Sequence, residues 1–313
     1  MTDGDGWRGV VAFCADTLAM HSRALLATLV ALLPLSLLAC AVDVDGGYQP
    51  VPIGEGEGEG EGEGEGEGEG EGEGEGEGEG EGEAGTLAPG TFSRTFSAGG
   101  LTYSSVVIVP DAVTTGPVPL VIALHGNGDT ATNFVQSLGL AALAGDQGFV
   151  LVVPQGNSRP ITAFGQTIGT LSWDAYNSPA QNPDILLVDE ILRQMAATGS
   201  IDVGRQHVLG YSQGGYLAFH VAMVRAGQLA SAVVVSASDP LGGQVSQSAT
   251  RTIPMGLRIG SNDSAVTALR GDRDRLLGRG HEVVYEEIAG AGHVPLPGNV
   301  PSLFTFLLSH RLP

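Results

Sequence analysis

From Thr86 onward the sequence predicts an α/β domain with a mostly parallel central sheet and helices on both faces. Three observations predict it. Short apolar runs of strand length alternate with stretches of helical spacing all along this part of the chain. The run over 120–124, Leu-Val-Ile-Ala-Leu, is of the buried type, as a parallel sheet covered on both faces requires. About 228 residues follow residue 85, which suits one α/β domain.

Taken in order, the elements are these. A strand is expected over 101–109, and a second over 120–124 that ends in His125-Gly126-Asn127-Gly128-Asp129. Helical spacing covers 132–144, and 149–153 is the next strand. A segment over 154–183, rich in glycine, serine and asparagine, holds Trp173 and Tyr176; loops of this length in a compact domain are usually functional. Residues 184–197 read as a helix capped by Asp184, leading into a strand over 206–209. Gly210-Tyr211-Ser212-Gln213-Gly214 then joins that strand to a helix over 213–225. Further strands are expected over 232–236, 254–259 and 282–288, with helices over 265–277 and 301–310.

The part before residue 86 has another character. Residues 24–39 form a 16-residue apolar run behind Arg23, interrupted by Pro34 and short for a membrane span. It reads as the core of a signal peptide over 1–39. Its end, Leu37-Leu38-Ala39-Cys40, resembles the bacterial lipobox, which makes Cys40 the expected site of lipidation. Ala39-Cys40-Ala41 also fits an A-x-A pattern, so simple cleavage after Ala41 and an uncleaved anchor stand as alternatives. The nineteen residues before Met20 make a long leader, and translation from Met20 is the alternative start. Residues 54–83 are fifteen Gly-Glu pairs within a linker over 40–85. With nothing apolar to bury and a carboxylate at every second position, this tract is expected to be disordered and self-repelling. Its extended reach is about 100 Å, against about 30 Å for a neutral flexible coil. Two readings stand, a spacer holding the 86–313 domain away from a lipid surface and a repeat expansion without selected length.

Composition excludes several chemistries. The formal charge is −21, yet 15 of the 35 acidic residues lie in the Gly-Glu tract, leaving 20 against 14 basic residues. That balance carries no basic nucleic-acid footprint. All 14 basic residues are arginine, so a phosphate-loop lysine, a kinase-type nucleotide site and a Schiff base are excluded. Cys14 and Cys40 both precede residue 41, so the domain has no thiol nucleophile, disulfide or cysteine-ligated metal.

A serine hydroxyl becomes a nucleophile when it projects from a sharp strand-to-helix turn, where flanking glycines avoid clashes and the helix N-terminus favours negative charge. Ser212 has that setting. A carboxylate and a histidine are then required later in the chain, in that order, each after a strand. Asp263, in Gly260-Ser261-Asn262-Asp263, and His293, in Gly290-Ala291-Gly292-His293, meet the requirement. Asp239 is the rival acid, but it precedes Pro240 and reads as a turn residue. The backbone amides of Asn127 and Gln213 occupy the positions of oxyanion donors. His125 reads as structural, His207 and His220 as packed, and His281 and His310 as peripheral.

From residue 120 to the end, the chain resembles the esterase family that includes polyhydroxybutyrate depolymerases and feruloyl or acetylxylan esterases. The segments that carry the resemblance are PLVIALHGNGDTATNF, SWDAYN, DILLVDEILRQMAATGSIDVGRQHVLGYSQGGYLAFHVAM, IGSND and GAGH. The resemblance implies an α/β-hydrolase fold and a serine esterase acting through an acyl-enzyme on feruloyl, acetyl-polysaccharide or hydroxyalkanoate esters. Many members carry a bridging cysteine pair where this chain has Asn127 and Ser172, and a tryptophan after the histidine where it has Val294. LHGNGDT and GYSQGG also resemble acyl-protein thioesterases and small carboxylesterases, the alternative among enzymes. The competing class is a non-catalytic surface module that keeps the fold to bind a ligand.

Trp173 and Tyr176 are candidates for lining the substrate pocket, because an ester's acyl or alcohol group needs apolar surface, with loop packing as the alternative. The expected partners are a small or oligomeric ester and, through lipid on Cys40, a membrane; no metal, cofactor, nucleic acid or obligate protein partner is expected. The expected location is the cell envelope, at the outer membrane or cell surface, or outside the cell if Cys40 is not lipidated.

Overall fold

Every residue of the strand Val118–Leu124 is buried and none is charged, which puts it in the interior of a sheet covered on both sides. Leu120, Ile122 and Leu124 join the core on one face, and Val121 and Ala123 the core on the other, following the two-residue period of a strand. The computed structural model of the chain describes residues 85–295 and 298–313. The expected signal peptide, Cys40 and the Gly-Glu tract lie outside the described residues.

The strands are β1 (Gly90–Ala98), β2 (Leu101–Val109), β3 (Val118–Leu124), β4 (Val150–Pro154), β5 (Arg159–Ala163), β6 (Gln166–Leu171), β7 (Ile201–Tyr211), β8 (Ser231–Val235), β9 (Met255–Gly260) and β10 (Val283–Ile288). Eight of them form one sheet in the order β1-β2-β4-β3-β7-β8-β9-β10, while β5 and β6 form a separate hairpin. From β4 to β10 every neighbouring pair is parallel; β1 and β2 are the antiparallel edge. This is the α/β-hydrolase arrangement expected from the sequence.

The helices are α1 (Ala131–Ser137), α2 (Leu140–Gln147), α3 (Pro183–Ala197), α4 (Gln213–Val224), α5 (Val266–Gly278) and α6 (Val300–Leu308). Buried side chains of α3, α4 and α5 pack on one face of the sheet, and those of α1, α2 and α6 on the other, where Phe149 stacks on Phe304 with ring centroids 5.2 Å apart. Arg258 reaches from β9 to the Asn299 carbonyl and the Ser302 hydroxyl, each at 2.6 Å, and ties α6 to the sheet.

Five features differ from the expectations. β7 begins five residues before and ends two residues after the strand expected over 206–209. β1 is an additional strand: Phe96 is the one fully buried side chain in it, so it lacks the apolar run of a central strand. It pairs with β2 through Gly99-Gly100, both at positive φ, the pair that a two-residue hairpin turn requires. The helix expected over 132–144 is two helices, because Gly139 adopts φ +63 and breaks the run. Asn182, not Asp184, caps α3, accepting from the amides of Asp184 and Ile185 at 3.0 and 3.2 Å. Asp184 is instead buried, bonded by the Tyr103 hydroxyl and by Arg159, each at 2.6 Å. The long segment over 154–183 contains the β5–β6 hairpin, whose threonine-rich strands carry no apolar run.

Candidate active site

β7 ends at Tyr211 and α4 begins at Gln213, so Ser212 alone makes the turn between them. Its backbone sits at φ +52 and ψ −121, which costs a residue with a side chain roughly 1–3 kcal/mol. Packing around the turn holds it there. The Ser212 amide donates to the Val235 carbonyl at 2.9 Å, and its own carbonyl accepts from the Tyr216 amide at 3.0 Å. A Cβ on Gly210 would run into the Gly214 carbonyl, and one on Gly214 into the carbonyls of Leu124 and His125. Gly210→Ala and Gly214→Ala are therefore expected to lower stability by roughly 4 kcal/mol or more, measured by urea unfolding.

Asp263 follows β9 and His293 follows β10, and the two loops bring both side chains to Ser212. The distance from His293 Nε2 to Ser212 Oγ is 2.8 Å, and that from His293 Nδ1 to Asp263 Oδ2 is also 2.8 Å. A carboxylate only accepts, so Nδ1 carries the proton and donates it, leaving Nε2 to accept the serine hydroxyl. The second oxygen, Asp263 Oδ1, takes the Ala265 amide at 2.9 Å. Burial opposes the Asp263 charge, but the His293 ring, the Ala265 amide and the Ser236 hydroxyl outweigh it and hold the pKa below the usual carboxylate range. Asp263→Asn keeps the shape but loses the acceptor that fixes the tautomer. A drop in kcat of roughly 10⁴-fold is expected, read in a steady-state ester assay.

Asp239 takes no part in this chain of bonds. Its oxygens take the amides of Leu241 and Ser246, at 2.9 and 2.8 Å, as a turn-forming residue does. His125 is buried and held neutral by burial, with Nδ1 donating to the Gly126 carbonyl at 2.7 Å and Nε2 accepting from the Gly156 amide at 3.0 Å. It shapes the loop after β3. His207 and His220 are packed, as expected, but His281 is buried beside Ile253 rather than peripheral. His310 is half-buried and pairs with Glu282 at 3.2 Å.

The Asn127 and Gln213 amides have no acceptor among the described residues, while the side chains of both residues bond to Ser172. Trp173 corrects the pocket expectation. It is fully buried, its indole N–H donates to the His125 carbonyl at 2.8 Å and its ring lies 5.0 Å from that of His125, so it presents no surface to a substrate. A tryptophan here packs beneath the loop after β3 because that loop offers both an aromatic ring and a carbonyl acceptor. Tyr176 is half-buried against the same core.

Two residues were not singled out from the sequence. The Tyr211 ring packs against His293, with centroids 5.5 Å apart, and its hydroxyl donates to the His293 carbonyl at 3.5 Å. Ser236 is buried at φ +51 where β8 ends, and its hydroxyl contributes, as the smallest of the causes, to the lowered Asp263 pKa. Tyr211 was visible as the central residue of the G-x-S motif; nothing in the sequence pointed to Ser236. Among the described residues no three His, Cys, Asp or Glu side chains converge as a metal-binding set.

The phospholipase/carboxylesterase family model matches residues 107–274, more than half of the chain, and so includes Ser212 and Asp263. The chain belongs to that family. It is thus an esterase-like member of the serine α/β-hydrolases. A bifunctional acetylxylan esterase/xylanase of Neocallimastix patriciarum is 29% identical over 149 residues, which cover 47% of this chain. The chain spans about a fifth of the length of that relative, since the match covers 20% of it. Among solved structures, S-formylglutathione hydrolase from Staphylococcus aureus superposes with a TM-score of 0.56 at 13% identity, covering 70% of this chain and 98% of the other. A ferulic acid esterase from Anaeromyces mucronatus gives 0.55 at 16% identity, covering 71% and 90%. At these identities the structural likenesses show the α/β-hydrolase fold.

Proposed function

We propose that the protein is a serine esterase that cleaves carboxylic esters through an acyl-enzyme, with Ser212 as nucleophile, His293 as general base and acid, and Asp263 as the group that orients and charges the histidine. The observation that supports this most is the unbroken hydrogen-bond chain Ser212–His293–Asp263, with both links at 2.8 Å. In the first step Ser212 Oγ bonds to the ester carbonyl carbon while its proton passes to His293 Nε2 and the carbonyl π pair moves onto oxygen. The amides of Gln213, at the N-terminus of α4, and of Asn127 receive that oxyanion. Collapse expels the alcohol, which takes the proton from His293. Water then repeats the sequence on the acyl-enzyme, releasing the acid and restoring Ser212.

The substrate class is an ester on a bulky or polymeric carrier, of the feruloyl, acetyl-polysaccharide or hydroxyalkanoate type. The motif resemblance and the acetylxylan esterase relative support it. So does access, since the His293 side chain is 45% exposed and Asn127 and Gly128 are also exposed. The family match favours a second reading, a small carboxylesterase or acyl-protein thioesterase. Turnover of feruloyl, acetyl-xylan and hydroxybutyrate-oligomer esters beside long-chain acyl thioesters separates the two. Preference for the thioesters sinks the first reading. Export and attachment to the cell envelope through lipid on Cys40 complete the proposal, on the strength of the Leu37-Leu38-Ala39-Cys40 run. Mass spectrometry of the mature N-terminus tests it: an unmodified Cys40 removes the anchor.

A further inference from the structure

Two segments far apart in the chain must hold their amides at a fixed spacing if one oxyanion is to bond to both. Asn127 and Gly128 are the exposed central residues of a turn that the Asp129 amide closes onto the Gly126 carbonyl at 3.3 Å, with Gly128 at φ +76, and that turn by itself sets no distance to α4. Gln213 stands on the first turn of α4, where the helix and the glycine contacts fix it. Something else must tie the loop to the helix.

We propose that Ser172 is the positioning residue that sets this spacing. Its amide donates to two acceptors, Asn127 Oδ1 at 2.9 Å and Gln213 Oε1 at 3.0 Å. One N–H thus joins the side chains of both residues whose amides are offered to the oxyanion. The Ser172 hydroxyl adds a second tie: it donates to Asn127 Oδ1 at 3.3 Å and accepts the Gly128 amide at 3.2 Å. Gln213 is fastened to the next residue as well, accepting the Trp173 amide at 3.2 Å and donating to the Trp173 carbonyl at 2.9 Å. Ser172 is 1% exposed, so its own N–H and hydroxyl lie away from bulk water. The side chains of Asn127 and Gln213 are occupied by the clasp, and their own amides are left to the substrate.

The inference rests on the esterase reading and deepens it. Loss of the clasp leaves nucleophile, base and acid untouched and lets the Asn127 amide drift, and a displacement of about 1 Å at a reacting centre can cost roughly 100-fold in rate. Ser172→Ala removes the hydroxyl ties, and Asn127→Ala removes the shared acceptor while keeping the backbone amide. Both are expected to lower kcat by about 10- to 100-fold with KM within about twofold, and to slow labelling of Ser212 by a fluorophosphonate, whose addition develops charge at the same position. The double variant is expected to be no slower than the worse single variant, because both act through one clasp. Ser172→Thr, which retains the hydroxyl, is expected to recover more activity than the isosteric Ser172→Val. Overturning results are a kcat within twofold of the parent in both alanine variants, losses that multiply in the double variant, or losses confined to KM. A parent protein that turns over no ester and takes up no probe is a different failure, since it removes the esterase reading itself.

Discussion

Ser212→Ala is expected to reduce ester hydrolysis by roughly 10⁶-fold in kcat, the loss seen when the nucleophile is removed from a serine hydrolase. Without Oγ the carbonyl carbon has no oxygen to bond to, and His293 has no proton to accept. The fold should survive. Ser212 is held at φ +52 by contacts of its neighbours and by its own backbone bonds to Val235 and Tyr216, none of which involves the hydroxyl. Removing the hydroxyl leaves those bonds in place. A fluorophosphonate probe should label the parent at Ser212 and leave the variant unlabelled, and p-nitrophenyl ester turnover should fall to the background rate. Equal turnover by parent and variant would falsify the assignment of the nucleophile, whereas a parent with neither turnover nor labelling returns the protein to the class of binding modules.

A second large effect is loss of stability on acidification. Burial holds four histidines, His125, His207, His220 and His281, below the usual histidine range, and His207 is pushed down to about 3. The unfolded chain takes up protons near pH 6.5, whereas the folded chain does not until its lower pKa is reached. The unfolded state therefore binds more protons in between, and stability present above pH 6.5 is lost as pH falls towards the folded pKa. At pH 5, His207 alone costs about 2 kcal/mol by this route. In a domain of this size that corresponds to a fall in Tm of about 4–8 °C, with the other three adding in the same direction. Protonated His125 would also set an Nε2–H against the Gly156 amide that now donates to it. At lower pH the depressed pKa of Asp263 works in the same direction, while Asp184 and Asp272, raised by burial, partly offset it. Thermal unfolding between pH 8 and pH 4.5 measures this. A Tm that stays flat from pH 7 to pH 5 is the contrary result, and His207→Gln should flatten the slope if the histidine is a cause.

The central strands were legible because their residues are buried on both faces, and a continuous apolar run is then the cheapest composition for them. β3, β4, β8 and β9 differ from the expectation by one or two residues at their ends, while β2 and the edge strand β10, both partly exposed, were legible from their own apolar alternation. β1 and the β5–β6 hairpin were not legible, because strands at an edge or on the surface alternate with, or consist of, threonine and serine, which loops use as well. Trp173 shows the limit for single residues. Composition marks a tryptophan as apolar surface in search of a partner, but whether that partner is a substrate or the ring and carbonyl of His125 depends on which loop lies above it.

By itself the sequence predicted an α/β-hydrolase fold and offered a serine, an acid and a histidine as candidates in their order, since these follow from where strands end and from which residue types can exchange a proton. Only the tertiary structure decided that His293 lies 2.8 Å from both partners, that the Asp239 oxygens are taken by turn amides instead, that the Tyr211 ring packs on the histidine, and that Ser172 joins Asn127 to Gln213. The physical reason is the sheet: strand order β7-β8-β9-β10 brings loops 81 and 30 residues apart in the chain to one edge, and a hydrogen bond responds to that distance in space, which no local pattern records.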